Sequence, residues 1–261
     1  MRRFFFRNST VCARRTCVGT LWAGSLLVVT LLFTGTCALA DSPWTVVDDD
    51  DGVEVSVQDR GEGKLPVFRG KGMIHAPLLE IVAVLHDPGR RPEWLPLCME
   101  ARLLREVNPL EYILYERVDA PWPVNDRDIV LRSQVKLNPT DQSVRIVFES
   151  DPSFRVPPHK GVTRMQFLKG FFLLRSQGEE KTHVTYQLDA HPGGSLPDWM
   201  VEFASEDTPR ENIVALREQV QTTWKKRIYE ELVQEWGVRM QVPVEVPPSR
   251  PAPSEGAPPS P

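Results

Sequence analysis

The chain has 261 residues, of which 41% are hydrophobic and 25% charged, with a formal net charge of −4. A chain of this length and composition can bury one sizeable core. An acidic balance, with no basic cluster beyond residue 40, makes the chain a poor candidate for nucleic-acid binding and for permanent docking on anionic membranes.

Residues 1–40 contain Arg2, Arg3, Arg7, Arg14 and Arg15 and no acidic residue. From Thr16 to Ala40 there is no charge, Leu21–Phe33 is strongly apolar, and Ala38-Leu39-Ala40 precedes Asp41. A basic start, an apolar run and an A-x-A site predict a cleaved secretory signal peptide, hence a periplasmic or secreted protein. An uncleaved anchor is the alternative, since about 20 apolar residues span a bilayer. Neither Arg2-Arg3 nor Arg14-Arg15 decides between general and twin-arginine export. Thr34-Gly35-Thr36 ahead of Cys37 lacks the apolar and small residues of a lipoprotein signal. Cleavage leaves 26 Lys+Arg against 35 Asp+Glu, about −9. It also removes Cys12, Cys17 and Cys37, so the lone Cys98 can form no internal disulfide and reads as a small buried apolar residue.

Trp44–Gln58 alternates as strand about Gly52, with Val53, Val55 and Val57 on one face. Asp48–Gly52 lacks the glycine and glutamate spacing of a calcium loop and reads as a solvated turn. Pro66–Ile74 is a second strand. Pro77 opens a helix over Leu78–His86, stopped by Asp87-Pro88-Gly89, and Arg90–Cys98 is a short irregular or helical piece. Period-two alternation then predicts strands at Ala101–Val107, Tyr112–Val118, Asp128–Leu137, Ser143–Ser150, Gly161–Leu168, Phe171–Ser176 and Thr182–Ala190, joined by short turns into an antiparallel sheet. A capping pattern at Ser195–Asp198 predicts a short helix over Pro197–Ala204. Thr208-Pro209-Arg210-Glu211 is a fuller start signal for a second helix reaching about Trp236. Residues 241–261 are dominated by Pro, Ser, Ala and Gly and are expected to form a disordered tail. Residues 41–240 are therefore one folded unit of the α+β class, helix on sheet.

No catalytic constellation stands out. The sequence has no G-x-S-x-G, no phosphate-binding glycine loop, no H-E-x-x-H and no cysteine pair at zinc spacing. His75, His86, His159, His183 and His191 are scattered. Arg127-Asp128 sits where a loop becomes a strand, and there Arg can bond carbonyls and Asp can cap exposed N–H groups. Non-catalytic binding without cofactor or metal is the expectation.

Three segments, in order, carry a family resemblance: Trp122-Pro123-Val124-x-x-Arg127-Asp128, then Thr182-x-Val184-Thr185-Tyr186, then Gly193-Gly194-x-Leu196-Pro197-x-Trp199. They resemble the START domain, the lipid-transfer module related to steroidogenic acute regulatory protein, over about Trp44 to Trp236. The resemblance implies the helix-grip fold, a curved antiparallel sheet wrapped around a long C-terminal helix, with a tunnel between them for a lipid or other hydrophobic small molecule. It also implies transient membrane contact by a monomer, with the Gly193–Trp199 loop as gate.

Family members that bind sterol place an acid and an arginine inside the tunnel. Counting from Arg127, those positions fall on Leu114 and Ser133, and both charges are missing. Strand parity then puts Tyr112, Leu114, Ile129, Leu131, Ser133 and Val135 on the inner face. Val144, Ile146 and Phe148 follow, with Met165 and Phe167 on the next strand and Val184, Tyr186 and Leu188 on another. Leu196 joins from the loop, and Ile213, Leu216, Val220 and Trp224 from the helix stripe. Arg132 falls on the opposite face. The same residues could instead form a solid core, because periodicity does not separate a core from a cavity wall. Two other functions remain open from sequence: a cyclase or hydrolase on this fold, with His191 or Glu116 turned inward, and an envelope module whose proline-rich tail is recognised by a partner.

Overall fold

The computed structural model describes residues 43–61, 65–120, 122–191 and 198–222, together with residue 234. Strands and helices dominate these segments, joined by turns and by one longer irregular link over residues 151–161. Ten strands form one sheet: β1 (Trp44–Asp50), β2 (Val53–Gln58), β3 (Val67–Ile74), β4 (Cys98–Asn108), β5 (Glu111–Val118), β6 (Asp126–Asn138), β7 (Ser143–Ser150), β8 (Val162–Arg164), β9 (Phe167–Ser176) and β10 (Thr182–His191). Their order across the sheet is β1-β2-β3-β10-β9-β7-β6-β5-β4, with β8 beside β6. Every pairing is antiparallel except the parallel contact of β8 with β6. Two helices intervene between β3 and β4, namely α1 (Leu78–Leu85) and the single turn α2 (Arg91–Trp94). The last element is α3 (Asp198–Gln221). The fold is the helix-grip arrangement that the sequence implied.

Local chemistry explains the boundaries. Asp51 and Gly52 both have positive φ, 52° and 66°, as a two-residue turn between right-twisted strands requires. The acidic run is thus the tip of the β1–β2 hairpin. In α1 the apolar residues run all round, and Leu78, Leu79, Ile81, Val82, Val84 and Leu85 are all buried. The helix is sandwiched rather than laid on a surface.

Helix α3 differs from expectation at its start. One helix runs through Pro209, where two had been predicted, as far as Gln221, with a bend at Thr222, whose hydroxyl donates to the Gln219 carbonyl at 2.8 Å. The expected stretch from there to about Trp236 lies, apart from Gln234, outside the described residues. Tertiary packing overrides the proline's local preference. α3 rests on β2, β3, β10 and α1. At β3 it lies so close that a Cβ on Gly70 would sit 3.0 Å from Pro209, and one on Gly72 would sit 3.1 Å from Ile213. Glycine at these two places lets helix backbone settle on strand backbone.

The second difference lies between β7 and β10. The expected strand Gly161–Leu168 is only the three-residue β8, and β9 starts at Phe167 and runs straight through Lys169-Gly170. The glycine there does not mark a turn. A Cβ on Gly170 would stand 2.6 Å from the Phe148 ring, so the strand can continue only because none is present.

Candidate functional site

The inner wall is built by β5 and β6. Tyr112 stands opposite Ser133, Leu114 opposite Leu131, and Glu116 opposite Ile129. Alternation puts these six on one face. Tyr112, Leu114, Ile129 and Leu131 form a buried cluster, with Met165 and Leu168 packed on it. A second, larger cluster on the same face joins Val135, Val144, Ile146, Phe148, Phe172, Leu174, Val184 and Tyr186 to α1 and to Ile213, Leu216 and Val220 of α3. Within it the Phe172 and Tyr186 rings lie 4.6 Å apart. One part of the inner face is consumed by helix packing, and the apolar patch on β5 and β6 continues it, with Leu168 packed on both. Ile113, Tyr115 and Val130 form a third cluster on the outer face. Arg132 is there too, paired with Asp151 at 2.9 Å and with Glu111 at the neighbouring strand.

Phe167 is the exception among the predicted lining residues. It begins β9 on the outer face and is exposed, because β9 runs unbroken and its inward positions are Leu168, Gly170, Phe172 and Leu174. Leu168 takes the inward place that had been assigned to Phe167. Met165 does meet the inner wall, but from the link between β8 and β9 rather than from a strand. Leu196, Trp224 and the gate segment up to Pro197 lie outside the described residues.

The wall is not wholly apolar. Glu116 faces inward and its Oε2 accepts a hydrogen bond from Arg91 Nη1 of α2 at 2.7 Å. Burial pulls the Arg91 guanidinium down, but Glu116 and Tyr112 raise it above its ordinary range. Burial and the Glu116 charge push the Cys98 thiol up to about 12. Tyr186 is raised mainly by burial, and Asn212 of α3 hydrogen-bonds its hydroxyl. The Tyr112 hydroxyl, the Ser133 Oγ and the Trp94 Nε1 are buried without a hydrogen-bond partner. The charge pair escaped sequence reading because its arginine comes from a four-residue helix with no periodic signal. Glu116 turned inward was foreseen as an alternative, but nothing in the sequence distinguished Arg91 from its neighbour Arg90 as its partner.

The Arg127-Asp128 corner is structural. Arg127 donates to the Asn125 carbonyl. Asp128 departs from the expected backbone cap: it accepts two hydrogen bonds from Arg164, at 2.6 and 3.0 Å, and one from the Tyr115 hydroxyl at 3.2 Å. This ties β8 to β6 and fixes the strand carrying Ser133. A cleft of about 420 Å³ opens where β7 stops and β8 takes its place, lined among others by Ile129, Asp151, Phe154, Arg164 and Met165. Among the described residues no three His, Cys, Asp or Glu side chains converge as a metal site, and no helix is long and apolar enough to cross a membrane.

Comparison with known proteins follows the same outline. The model of the START domain matches residues 39–223. An uncharacterized protein of Pseudomonas aeruginosa is 32% identical over 180 residues, covering 69% of this chain and 87% of its own. The phosphatidylcholine transfer protein of Bos taurus is 26% identical over 176 residues, covering 65% of this chain and 80% of its own. The crystal structure of a STAR-related lipid transfer protein fragment from Xanthomonas axonopodis superposes with a TM-score of 0.63 at 31% identity, covering 69% of this chain and 99% of that one.

Proposed function

The chain belongs to the START domain family, and from that premise we propose that it is an exported, non-catalytic carrier. It holds a lipid between the sheet and the C-terminal helix and passes it between membranes as a monomer. The observation that supports this reading is the apolar inner face of β5 and β6, where Tyr112, Leu114, Ile129 and Leu131 pack together beyond the residues that α1 and α3 cover, with Leu168 joining the two groups. With Met165 and Leu168 packed on it and Ser133 beside Tyr112, the wall supplies the contacts of an acyl chain.

The energetics suit a carrier. A lipid burying on the order of 400 Å² of apolar surface gains roughly 10 kcal/mol at about 25 cal/mol per Å². Association costs of about 4–15 kcal/mol offset much of that, which leaves binding compatible with release. Membrane encounter fits Trp122, which is 90% exposed at the turn between β5 and β6. An amphipathic ring of this kind favours the membrane–water boundary. Export fits the basic and apolar order of residues 1–40 and the A-x-A site before Asp41.

Glu116 turned inward is the feature that a hydrolase or cyclase would need. Its oxygen is committed to Arg91, and no nucleophile–base pair accompanies it among the described residues. The test is native mass spectrometry of the purified protein with solvent extraction of its contents. A co-purifying lipid, or one taken up from vesicles, is expected. A protein that is empty and takes up none ends the reading.

A further inference from the structure

The neighbour of β6 changes partway along that strand. β7 pairs with it as far as Leu131 opposite Ser150, and β8 pairs with it from Asp128 opposite Arg164. Two main-chain hydrogen bonds at 2.9 Å bridge the break, from Asp151 N–H to the Val130 carbonyl and from Met165 N–H to the Asp128 carbonyl. The cleft of about 420 Å³ opens here, and its lining joins the two faces of the sheet. Ile129 and Met165 belong to the apolar patch on the inner face, whereas Val130 and Phe154 belong to the outer cluster. Consecutive strand residues point to opposite faces, so an opening that touches both Ile129 and Val130 runs through the plane of the sheet.

The rim of this opening is braced. Asp151 accepts hydrogen bonds from Arg132 and Ser153, and Arg164 donates to Asp128. Arg155, also on the rim, is exposed, and its side chain has neither ion pair nor hydrogen bond among the described residues. At the inner end stands Met165, half-buried, whose unbranched thioether adapts to what lies beside it.

We infer that the cleft is a second, lateral lipid site that takes a single-chain amphiphile with an anionic head, of the class of a long-chain fatty acid. The chain passes Ile129 and Met165 to the inner face, and the carboxylate stays outside at Arg155. The use of the inner face rests on the carrier reading. Three features select this ligand. The volume lies near the small end of the roughly 300–1,000 Å³ of ligand pockets, which suits one chain rather than two. The lining changes from charged at the rim to apolar at depth, as an amphiphile does. The unbalanced charge of the rim is positive, because Asp151 and Arg164 each have a partner of opposite sign. A carboxylate head therefore gains a charge-assisted hydrogen bond from Arg155 that an uncharged head gains only weakly.

The experiment uses the purified full chain and a palmitate analogue with a diazirine next to its carboxylate. After illumination, peptide mapping is expected to find the label on Phe154 or Arg155. Arg155→Glu, a change at an exposed position, is expected to weaken palmitate binding about fivefold, and by less in about 1 M salt than in about 0.1 M. The loss for uncharged monoolein should stay below about twofold. Met165→Trp, which narrows the inner end, is expected to weaken both ligands several-fold, and if it does not fold, the labelling and Arg155→Glu decide. Label confined to β5, α1 or α3, or an Arg155→Glu variant that binds palmitate as the wild type does, overturns the inference. Phosphatidylcholine taken up from vesicles by a protein that binds no palmitate overturns the lateral site and leaves the carrier reading standing. Palmitate labelled at Phe154 in a protein that takes up no vesicle lipid supports the lateral site and ends the carrier reading.

Discussion

Pro209 of α3 and Gly70 of β3 are in contact through backbone-level atoms: the Pro209 Cβ and carbonyl oxygen both lie 3.0 Å from where a Gly70 Cβ would stand. The neighbouring Ile213 side chain is 3.1 Å away. Gly70→Val therefore forces α3 off the sheet. Overpacking of this kind costs about 1–3 kcal/mol. A urea titration is expected to show the loss in its midpoint. Gly89→Ala, whose Cβ would meet nothing nearer than 3.7 Å, is the matched control and should leave the midpoint in place.

Asp128 is 2% exposed and holds both Arg164 and Tyr115. Removing it by Asp128→Ala strands the arginine, but the Arg164 side chain is 38% exposed and water can reach it. The expected cost is about 2 kcal/mol, below the 3–5 kcal/mol of a fully buried pair. Asp128→Asn, which keeps an acceptor for Tyr115, should cost less. Equal losses for the two variants in chemical denaturation would show that the charge is not what matters.

Acid stability should depend on Asp151. Burial of this carboxyl pulls its pKa upward, but Ser153 and Arg132 hold it below the usual carboxylate range. A lowered folded-state pKa means stability that is fully present above the unfolded value of about 3.9 and lost as pH falls through the folded one. The urea midpoint is expected to drop on acidification below about pH 4. Asp151→Asn should start lower and lose less over the same range. Glu54 and Asp126, lowered first by Lys71 and Arg117 respectively, add to the same slope but are better solvated.

Trp122 is the opposite case, a large apolar side chain with almost nothing to pack on. Trp122→Ser should change stability by no more than about 0.5 kcal/mol, as surface substitutions do. It should slow lipid transfer between vesicles while leaving bound lipid at equilibrium unchanged. A variant that transfers at the wild-type rate removes this residue from membrane contact.

Much of this architecture could be read from the residues. Alternation gives the two faces of β5 and β6, and the family resemblance, counted from Arg127, chose the one with Leu114 and Ser133 as inner; the pairings Leu114–Leu131 and Tyr112–Ser133 put these residues on one face. β7 matches its expected span, Ser143–Ser150, because both ends are marked by polar turn residues. What was not legible depends on distant partners. α3 is continuous through Pro209 because β3 lacks side chains beneath it. β9 is continuous through Gly170 because Phe148 needs the room. The Arg91–Glu116 pair spans 25 residues of sequence with no shared pattern. In each case a local signal was correct as chemistry and was overruled by packing.

The sheet is not closed: β1 and β4 are its two ends, each paired on one side only among the described residues. An open margin invites a strand from another copy, and repeated addition leads to fibres. Both margins are interrupted. The pairing of β4 slips at three places along Cys98–Asn108 and that of β1 at one, and β1 carries Asp48, Asp49 and Asp50. An incoming strand would find no straight run of amides to zip onto, and along β1 it would meet acidic side chains, Asp48 and Asp50 of which are already engaged by Arg210. The irregularities that look like flaws in the ladder thus guard a concentrated protein against polymerising through its own margins.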